Sequence, residues 1–156
     1  MTGRLLGVDL GARRIGLAVG DPAVGLARPL TTIRRGTTLA ADIAALERVC
    51  HEQGVVELVV GLPVEASGSE GPMAVAARVW AAGVADGLGI PMTLRDERLS
   101  SYVAEQRLGP MKRGRSGAPT RSQREAYRER VDREAAAVIL QDELDARVAG
   151  SGGRTS

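Results

Sequence analysis

The chain has 156 residues, of which 44% are hydrophobic, and carries a formal net charge of +2. This length predicts one globular domain, because such a chain buries roughly two thirds of its unfolded surface. The lone Cys50 and lone His51 argue against His-based zinc sites and Ser-His-Asp chemistry. No apolar run approaches the ~18 residues of a membrane span, and no leader with a cleavage site is evident, so we expect a cytoplasmic protein without a membrane partner.

Positive charge is concentrated in one segment. Residues 109–130 hold seven basic residues against two acidic ones, which gives the segment a net charge of +5 and the remainder −3. A basic patch on a mildly acidic body favours a polyanionic partner. With no Phe, two Tyr and one Trp, base stacking cannot be widespread, so a nucleic acid would be held mainly through its phosphates. The alternative is that solvated arginines simply keep a loop soluble.

The first part of the chain predicts an antiparallel meander. Residues 4–10 and 15–20 are predicted as strands around a tight turn, and the second strand alternates large apolar residues with Gly and Ala. Residues 27–35 form a third candidate strand, in which Pro29 favours an edge position.

Helices and strands alternate after residue 38. Apolar residues three and four apart predict a first helix that stops at Gly54, and the nearly continuous apolar run that follows predicts a strand covered on both faces. Pro72 suits the first position of a second, Ala-rich helix. The elements predicted from here to the end are a strand at 55–62, a helix at 73–88, a strand at 90–96, a short helix at 99–108, a long basic loop and a helix at 124–149.

This order predicts an α/β fold. A three-strand meander followed by alternating helices and strands implies a mixed five-stranded sheet with helices on both faces. We expect one domain over residues 1–149 and a flexible Gly/Ser tail over residues 150–156.

Three carboxylates occupy positions that predict a shared site. Asp9 lies on the same strand face as Leu5 and Gly7, where burial of an unpaired charge is costly. Asp96 and Glu97 end a parallel-type strand, the place where open sheets put ligand-binding groups, and parity alone does not say which of them faces the site.

Asp132 supplies the third acid, on a helix whose alanines allow close approach to the sheet. If these acids converge, repulsion raises their pKa values unless a cation lies among them, and oxygen-only ligands select Mg²⁺ or Mn²⁺. Each acid also has a structural explanation. Asp9 could pair with Arg13 or Arg14, Glu97 with a neighbouring arginine, and Asp132 could stabilise the first turn of its helix.

Four stretches resemble the YqgF/RuvX family of ribonuclease H-like proteins. They are GVDLGARRIGLAVGD, VVGLPVEASGSEG, LRDERLSSYVAEQRL and VDREAAAVILQDEL, in register over nearly all of residues 4–148. The resemblance implies a ribonuclease H-like fold with a metal site at Asp9, Glu97 and Asp132, and it favours Glu97 over Asp96. Related nucleases often have a fourth acid, for which the choices here are Glu129, Asp96 or none.

The resemblance implies a metal-dependent nuclease, a hydrolase that most plausibly matures the 5′ end of the 16S ribosomal RNA precursor. The alternatives are a Holliday junction resolvase and, in another class, a non-catalytic nucleic-acid-binding ribosome-assembly factor. The first motif also resembles the phosphate loop of actin-like sugar kinases, but those proteins need two such subdomains. We expect a monomer or homodimer, with Trp80 and Leu144 as core residues by default. The basic residues predicted to contact nucleic acid are Arg13, Arg14, Lys112, Arg113, Arg115 and Arg121.

Overall fold

The computed structural model describes residues 3–63, 69–97, 99–111, 113, 115 and 117–152. Its five-stranded sheet has the order β3-β2-β1-β4-β5. Strands β1 to β3 form the predicted antiparallel meander, and β4 and β5 extend the sheet in parallel from β1. The strands are β1 (Arg4–Leu10), β2 (Arg14–Asp21), β3 (Leu26–Arg34), β4 (Val55–Leu62) and β5 (Met92–Asp96).

Four helices cover the two faces of the sheet. They are α1 (Leu39–Gln53), α2 (Pro72–Leu88), α3 (Ser100–Leu108) and α4 (Arg121–Gly152). On one face, Leu6 and Val8 pack with Leu46 of α1 and Trp80 of α2. On the other face, α4 packs on the sheet and α3 packs on α4. The mixed sheet with helices on both faces is therefore confirmed.

The element boundaries follow local chemistry. Gly54 ends α1 with φ 66°, a left-handed conformation that glycine adopts without strain. Strand β5 begins at Met92, two residues later than predicted, and α3 begins one residue later, at Ser100.

Helix α4 begins at Arg121, three residues before the predicted start. A capping box explains the difference. The Gln123 N–H donates to the Thr120 hydroxyl at 3.1 Å, and the Thr120 N–H donates to Gln123 Oε1 at 2.8 Å. The helix runs to Gly152, so it includes the first residues of the predicted tail, whereas residues 153–156 lie outside the described part.

Two glycines allow α4 to lie close to the sheet. A Cβ at Gly7 of β1 would come within 2.6 Å of the Ala136 carbonyl oxygen, and a Cβ at Gly16 of β2 would overlap the carbonyl of Asp132. The helix backbone therefore contacts the strands directly. This approach carries Asp132 to the end of β1 where Asp9 lies, because Asp9 and Gly16 are register partners.

A polar network holds α4 against β4 and β5. Arg147 of α4 binds Glu57 of β4 and donates to Glu143 at 2.7 Å, while Arg95 of β5 donates to Glu143 at 2.9 Å. Hydrogen bonds from these two arginines hold the pKa of the Glu143 carboxyl below its usual value, even though burial raises it. Glu57, the one charge in the apolar run of β4, is thus an anchor for α4. Among the described residues, no helix has the length and apolar character that crossing a bilayer requires.

Candidate active site

Asp9 and Glu97 line one cavity at the carboxyl end of the parallel strands. Its volume is about 220 Å³. The Glu97 N–H donates to the Leu62 carbonyl at 2.8 Å, which continues the β4–β5 ladder one residue beyond β5. Gly61 leaves room beside the carboxylate, since a Cβ there would lie 3.4 Å from Glu97 Cβ. The lining residues are Asp9, Leu10, Gly61, Pro63, Glu97, Ser100 and Ser101.

Asp9 lies on the face of β1 that α4 covers, as its parity with Leu5 and Gly7 predicts. Burial raises the pKa of its carboxyl to about 7, and the charges of Asp132 and Glu97 add to the effect. Near neutral pH, Asp9 therefore holds a proton in a substantial fraction of molecules. The main physical cause is the burial of the Asp9 carboxyl, and repulsion by the two other acids adds to it.

Glu97 is partly buried and is held by the start of α3. Burial raises the pKa of its carboxyl, and repulsion by Asp142 adds to that. Hydrogen bonds from the Ser100 hydroxyl and from the backbone N–H groups of Leu99 and Ser100 oppose the rise. These bonds fix the orientation of the side chain toward the cavity that it shares with Asp9.

Asp132 lies beside this pair, in a different cavity. Arg14 Nε donates to Asp132 Oδ2 at 2.6 Å, with both side chains mostly buried. The two residues line a cavity of about 320 Å³ together with Tyr127, Met111 and other residues. The alternative explanation for Asp9 was an ion pair with Arg13 or Arg14, whereas the structure pairs Arg14 with Asp132. The charge of Asp132 nevertheless acts on Asp9.

The other acids considered as a fourth ligand lie elsewhere. Asp96 is exposed, and its charge acts on Arg78 of α2. Glu129 lines a separate cavity with Arg13 and Arg34. Asp142 of α4, which sequence reasoning missed, acts on Glu97 instead. It lies ten residues beyond Asp132, within the motif VDREAAAVILQDEL, but the spacings of three, four and seven residues that were used for Asp132 do not include it.

The structure places the predicted basic residues in different surroundings. Arg14 contacts Asp132 directly, and the exposed Arg13 precedes it. Arg113 and Arg115 are exposed, while Lys112 lies outside the described residues. Arg121 is also exposed and lies 3.7 Å from Glu125.

The start of the basic segment is fixed next to the Asp132 cavity. The Tyr127 hydroxyl donates to the Gly109 carbonyl at 2.9 Å, and Met111 lines the cavity. The segment and the acids are therefore neighbours on one surface.

The donor chemistry of the acids suits a hard divalent cation. The side chains lining the Asp9–Glu97 cavity offer carboxylate and hydroxyl oxygens, the ligands that Mg²⁺ and Mn²⁺ prefer. Within the described ranges, no three His, Cys, Asp or Glu side chains are already close enough together to hold a metal ion. Asp9 and Glu97 are suited to bind a cation together. Asp132 could join them only if its ion pair with Arg14 were broken.

A profile of the RuvX family, described as Holliday junction resolvase, matches residues 3–146. The chain belongs to the RuvX family. It is 49% identical over 144 residues to a protein of Anaeromyxobacter dehalogenans (strain 2CP-1 / ATCC BAA-258), covering 92% of this chain and 98% of that protein. It is 43% identical to a protein of Myxococcus xanthus (strain DK1622), covering 92% and 88% respectively. Both relatives carry the name "Putative pre-16S rRNA nuclease".

Solved structures confirm the ribonuclease H-like fold of this RuvX-family chain. Thermus thermophilus RuvC in complex with a Holliday junction substrate matches with a TM-score of 0.52 and 20% sequence identity. The match covers 94% of this chain and 96% of that one. A second structure of Thermus thermophilus RuvC gives a TM-score of 0.51 at 19% identity. At such identities the likeness concerns the fold.

Proposed function

We propose that this RuvX-family protein is a divalent-metal-dependent nuclease that hydrolyses phosphodiester bonds in the 16S ribosomal RNA precursor. The observation that carries the proposal is the raised pKa of Asp9, which burial and the charges of Asp132 and Glu97 cause together. A buried acid at a strand end whose ionisation is opposed by two neighbouring acids favours a cation. The names of the relatives favour the RNA substrate.

The residues have distinct roles in this proposal. Asp9, Glu97 and Asp132 would hold Mg²⁺ or Mn²⁺. When bound, such ions lower the pKa of a coordinated water and stabilise the charge on the leaving oxygen. Asp9 must lose its proton before it can act as a ligand, and Ser100 and Leu99 keep Glu97 oriented by hydrogen bonds. The guanidinium groups of Arg113, Arg115 and Arg14 contact phosphates beside the acids.

A four-way DNA junction is the second candidate substrate, because the family profile that matches the chain is described by that activity. A resolvase cuts two symmetric strands and so acts as a dimer. Trp80 and Leu144 are buried in the core of the protomer, so they do not supply such an interface. We therefore keep the prediction of a monomer, or of a homodimer formed through other residues. We also keep the prediction of a cytoplasmic location.

The deciding experiment is a side-by-side cleavage assay. The two substrates are a 16S ribosomal RNA precursor with its 5′ extension and a synthetic four-way DNA junction, each with Mg²⁺, with Mn²⁺ and with chelator. We expect metal-dependent cleavage of the RNA, lost in Asp9→Asn and kept in Asp96→Asn. Preferential cutting of the junction would establish the resolvase instead. Binding of both substrates without cleavage across a manganese titration would identify a non-catalytic assembly factor.

A further inference from the structure

A third cavity, of about 550 Å³, opens next to the Asp132 cavity, with which it shares Arg14. Its sheet side is formed by the turn between β1 and β2 and by the end of β3. Four arginines lie on that side, and Arg14 and Arg34 are register partners in the sheet. The basic residues on the sheet side are Arg13, Arg14, Arg34 and Arg35. We call this cavity the arginine cleft.

Only two of the four arginines are neutralised within the described residues. Arg14 is bound to Asp132, and Arg35 lies 3.9 Å from Asp42 and donates to the Gly11 carbonyl at 3.2 Å. The guanidinium groups of Arg13 and Arg34 make no hydrogen bond or ion pair with any described residue. Two uncompensated cations on adjacent strand ends repel each other and favour an anion between them.

Backbone hydrogen bonds join the two segments that carry Arg13 and Arg34. The Arg35 N–H donates to the Arg13 carbonyl at 2.9 Å, and the Gly11 N–H donates to the Arg14 carbonyl at 2.9 Å. The turn and the end of β3 are therefore bound to each other. This rigidity lowers the entropic cost of binding a ligand that contacts both segments.

The opposite side of the cleft, on α4, is acidic. Glu125 lies 3.7 Å from Arg121, whereas the Glu129 carboxylate has no ionic or hydrogen-bond partner in the described part of the chain. Thr32 of β3 binds the backbone carbonyl of Glu129 at 2.5 Å, which keeps α4 against this edge. An anion in the cleft would therefore lie along the sheet side, and Glu129 would oppose its binding.

We propose that the arginine cleft binds the phosphodiester backbone of the substrate strand next to the cleavage point, with Arg34 and Arg13 as its phosphate contacts. The inference rests on the proposed nuclease function and extends it. Arg14 lines both the cleft and the Asp132 cavity, so a strand that leaves the acids passes directly into the cleft. The proposal adds Arg34 to the predicted nucleic-acid interface. It also assigns Glu129 to the wall of the cleft, where its charge repels phosphate, and not to the metal site.

The test measures binding of fluorescein-labelled single-stranded RNA, and of DNA with the same sequence, by anisotropy in chelator so that no strand is cut. The variants are Arg34→Ala, Arg13→Ala and Glu129→Gln. Arg28→Ala is the matched control, since Arg28 is an exposed arginine on the same strand, about 20 Å from Arg34. Thermal unfolding of each variant confirms that it is folded.

We expect Arg34→Ala and Arg13→Ala to weaken binding several-fold and each to reduce the slope of log K against log [salt] by about 0.7. Glu129→Gln should tighten binding, and Arg28→Ala should match the wild type. Comparing the RNA and DNA probes identifies the sugar that the cleft prefers. Equal affinities of Arg34→Ala and Arg28→Ala, or weaker binding by Glu129→Gln, would overturn the inference.

The two proposals fail in different ways. The wild-type protein could bind the probes with this pattern and yet cut neither substrate with Mg²⁺. That result would refute the proposed nuclease function and support the proposed phosphate-binding role of the arginine cleft. Conversely, the protein could cut RNA while its Arg34→Ala variant binds the probes as Arg28→Ala does. That result would refute the role of the arginine cleft and support the nuclease function.

Discussion

Arg14 Nε lies 2.6 Å from Asp132 Oδ2, and this ion pair joins the turn after β1 to the helix that covers it. The pair neutralises one of the three acids that surround the strand end. It also occupies the carboxylate oxygen that a divalent cation would need. A cation and Arg14 therefore compete for Asp132, and the strength of that competition can be measured.

Replacing Arg14 by Gln is expected to tighten the binding of Mg²⁺ or Mn²⁺ several-fold, because Asp132 loses its competing cation. The same change should lower the free energy of unfolding by about 1–3 kcal/mol without metal, since a partly buried carboxylate loses a charged donor. Calorimetric titration with Mn²⁺ measures the first effect, and chemical denaturation measures the second.

The matched control for Arg14→Gln is Arg107→Gln. Arg107 also binds an acid of α4, with its Nη1 3.2 Å from Glu134 Oε1. This variant should leave metal affinity unchanged. If both variants bind Mn²⁺ with equal affinity, Asp132 does not take part in the metal site.

Asp9→Asn is expected to stabilise the metal-free protein above neutral pH. The folded pKa of Asp9 is about 7 against an ordinary value of 3.8, so the folded state binds the proton more tightly than the unfolded state. Stability is therefore lost as pH rises from about 4 to about 7, by on the order of 4 kcal/mol when the loss is complete. Asn carries no charge and removes this loss.

Thermal unfolding in chelator at pH 5 and pH 8 measures the effect. The variant should exceed the wild type at both pH values, by a clearly larger margin at pH 8 than at pH 5, while the exposed Asp96→Asn should follow the wild type at both. If the difference in melting temperature between Asp9→Asn and the wild type were the same at both pH values, Asp9 would not be a buried carboxyl that neighbouring charges repel.

Magnesium is expected to stabilise the wild type more at pH 8 than at pH 5. The cation must displace the proton of Asp9, and a ligand that binds only the folded state raises stability by RT ln(1 + [L]/Kd). Melting temperatures across a Mg²⁺ titration measure this. Glu97→Gln should reduce the shift strongly and Asp96→Asn should not; equal effects of the two would mean that the choice of Glu97 over Asp96 at the end of β5 is wrong.

Periodicity was sufficient to predict most of the fold. Strand β4 has the predicted bounds, and α1 begins after residue 38 and stops at Gly54 as predicted, because side-chain period and helix-ending chemistry are local properties. The face of β1 on which Asp9 lies was predictable for the same reason. The early start of α4 was also encoded locally, in the Thr120 and Gln123 capping box.

Long-range pairings could not be predicted in this way. Arg14 and Asp132 are 118 positions apart, and only the path of α4 over Gly16 brings them together. Asp142 acts on Glu97 because α4 crosses the sheet toward β4 and β5, a direction that no periodicity specifies. The choice of Glu97 over Asp96 came from the family resemblance, and the structure places Glu97 in the cavity of Asp9.

Gly16→Ala is expected to destabilise the protein and to reduce cleavage together. The added Cβ would overlap the Asp132 carbonyl, so α4 must move away from β2 and carry Asp132 with it. Such overpacking costs about 1–3 kcal/mol. Denaturation and metal-dependent cleavage, corrected for the folded fraction, are the two measurements.

Gly150→Ala provides the control for this change. Gly150 also lies in the contact partner α4, and a Cβ there meets nothing within 4 Å. Alanine at this position should be neutral or stabilising, by at most about 1 kcal/mol, because it favours the helix. If Gly16→Ala behaved in the same way, close approach of α4 at β2 would not be what positions Asp132.

Asp42→Ala is expected to lower the free energy of unfolding by about 2–4 kcal/mol, for a reason unrelated to the acid site. Asp42 is 3% exposed and accepts hydrogen bonds from Trp80 Nε1 at 3.0 Å and from the Gly36 N–H at 2.7 Å. Removing it leaves two donors without their partner in the interior, one of them at the contact between α1 and α2. A double-mutant cycle with Trp80→Phe separates the indole bond from the rest. Asp42→Ala should cost less by about 1 kcal/mol in the Trp80→Phe background, where there is no indole N–H to leave unpaired. Equal costs in the two backgrounds would show that the indole bond contributes nothing and that Asp42 acts through Gly36 and Arg35.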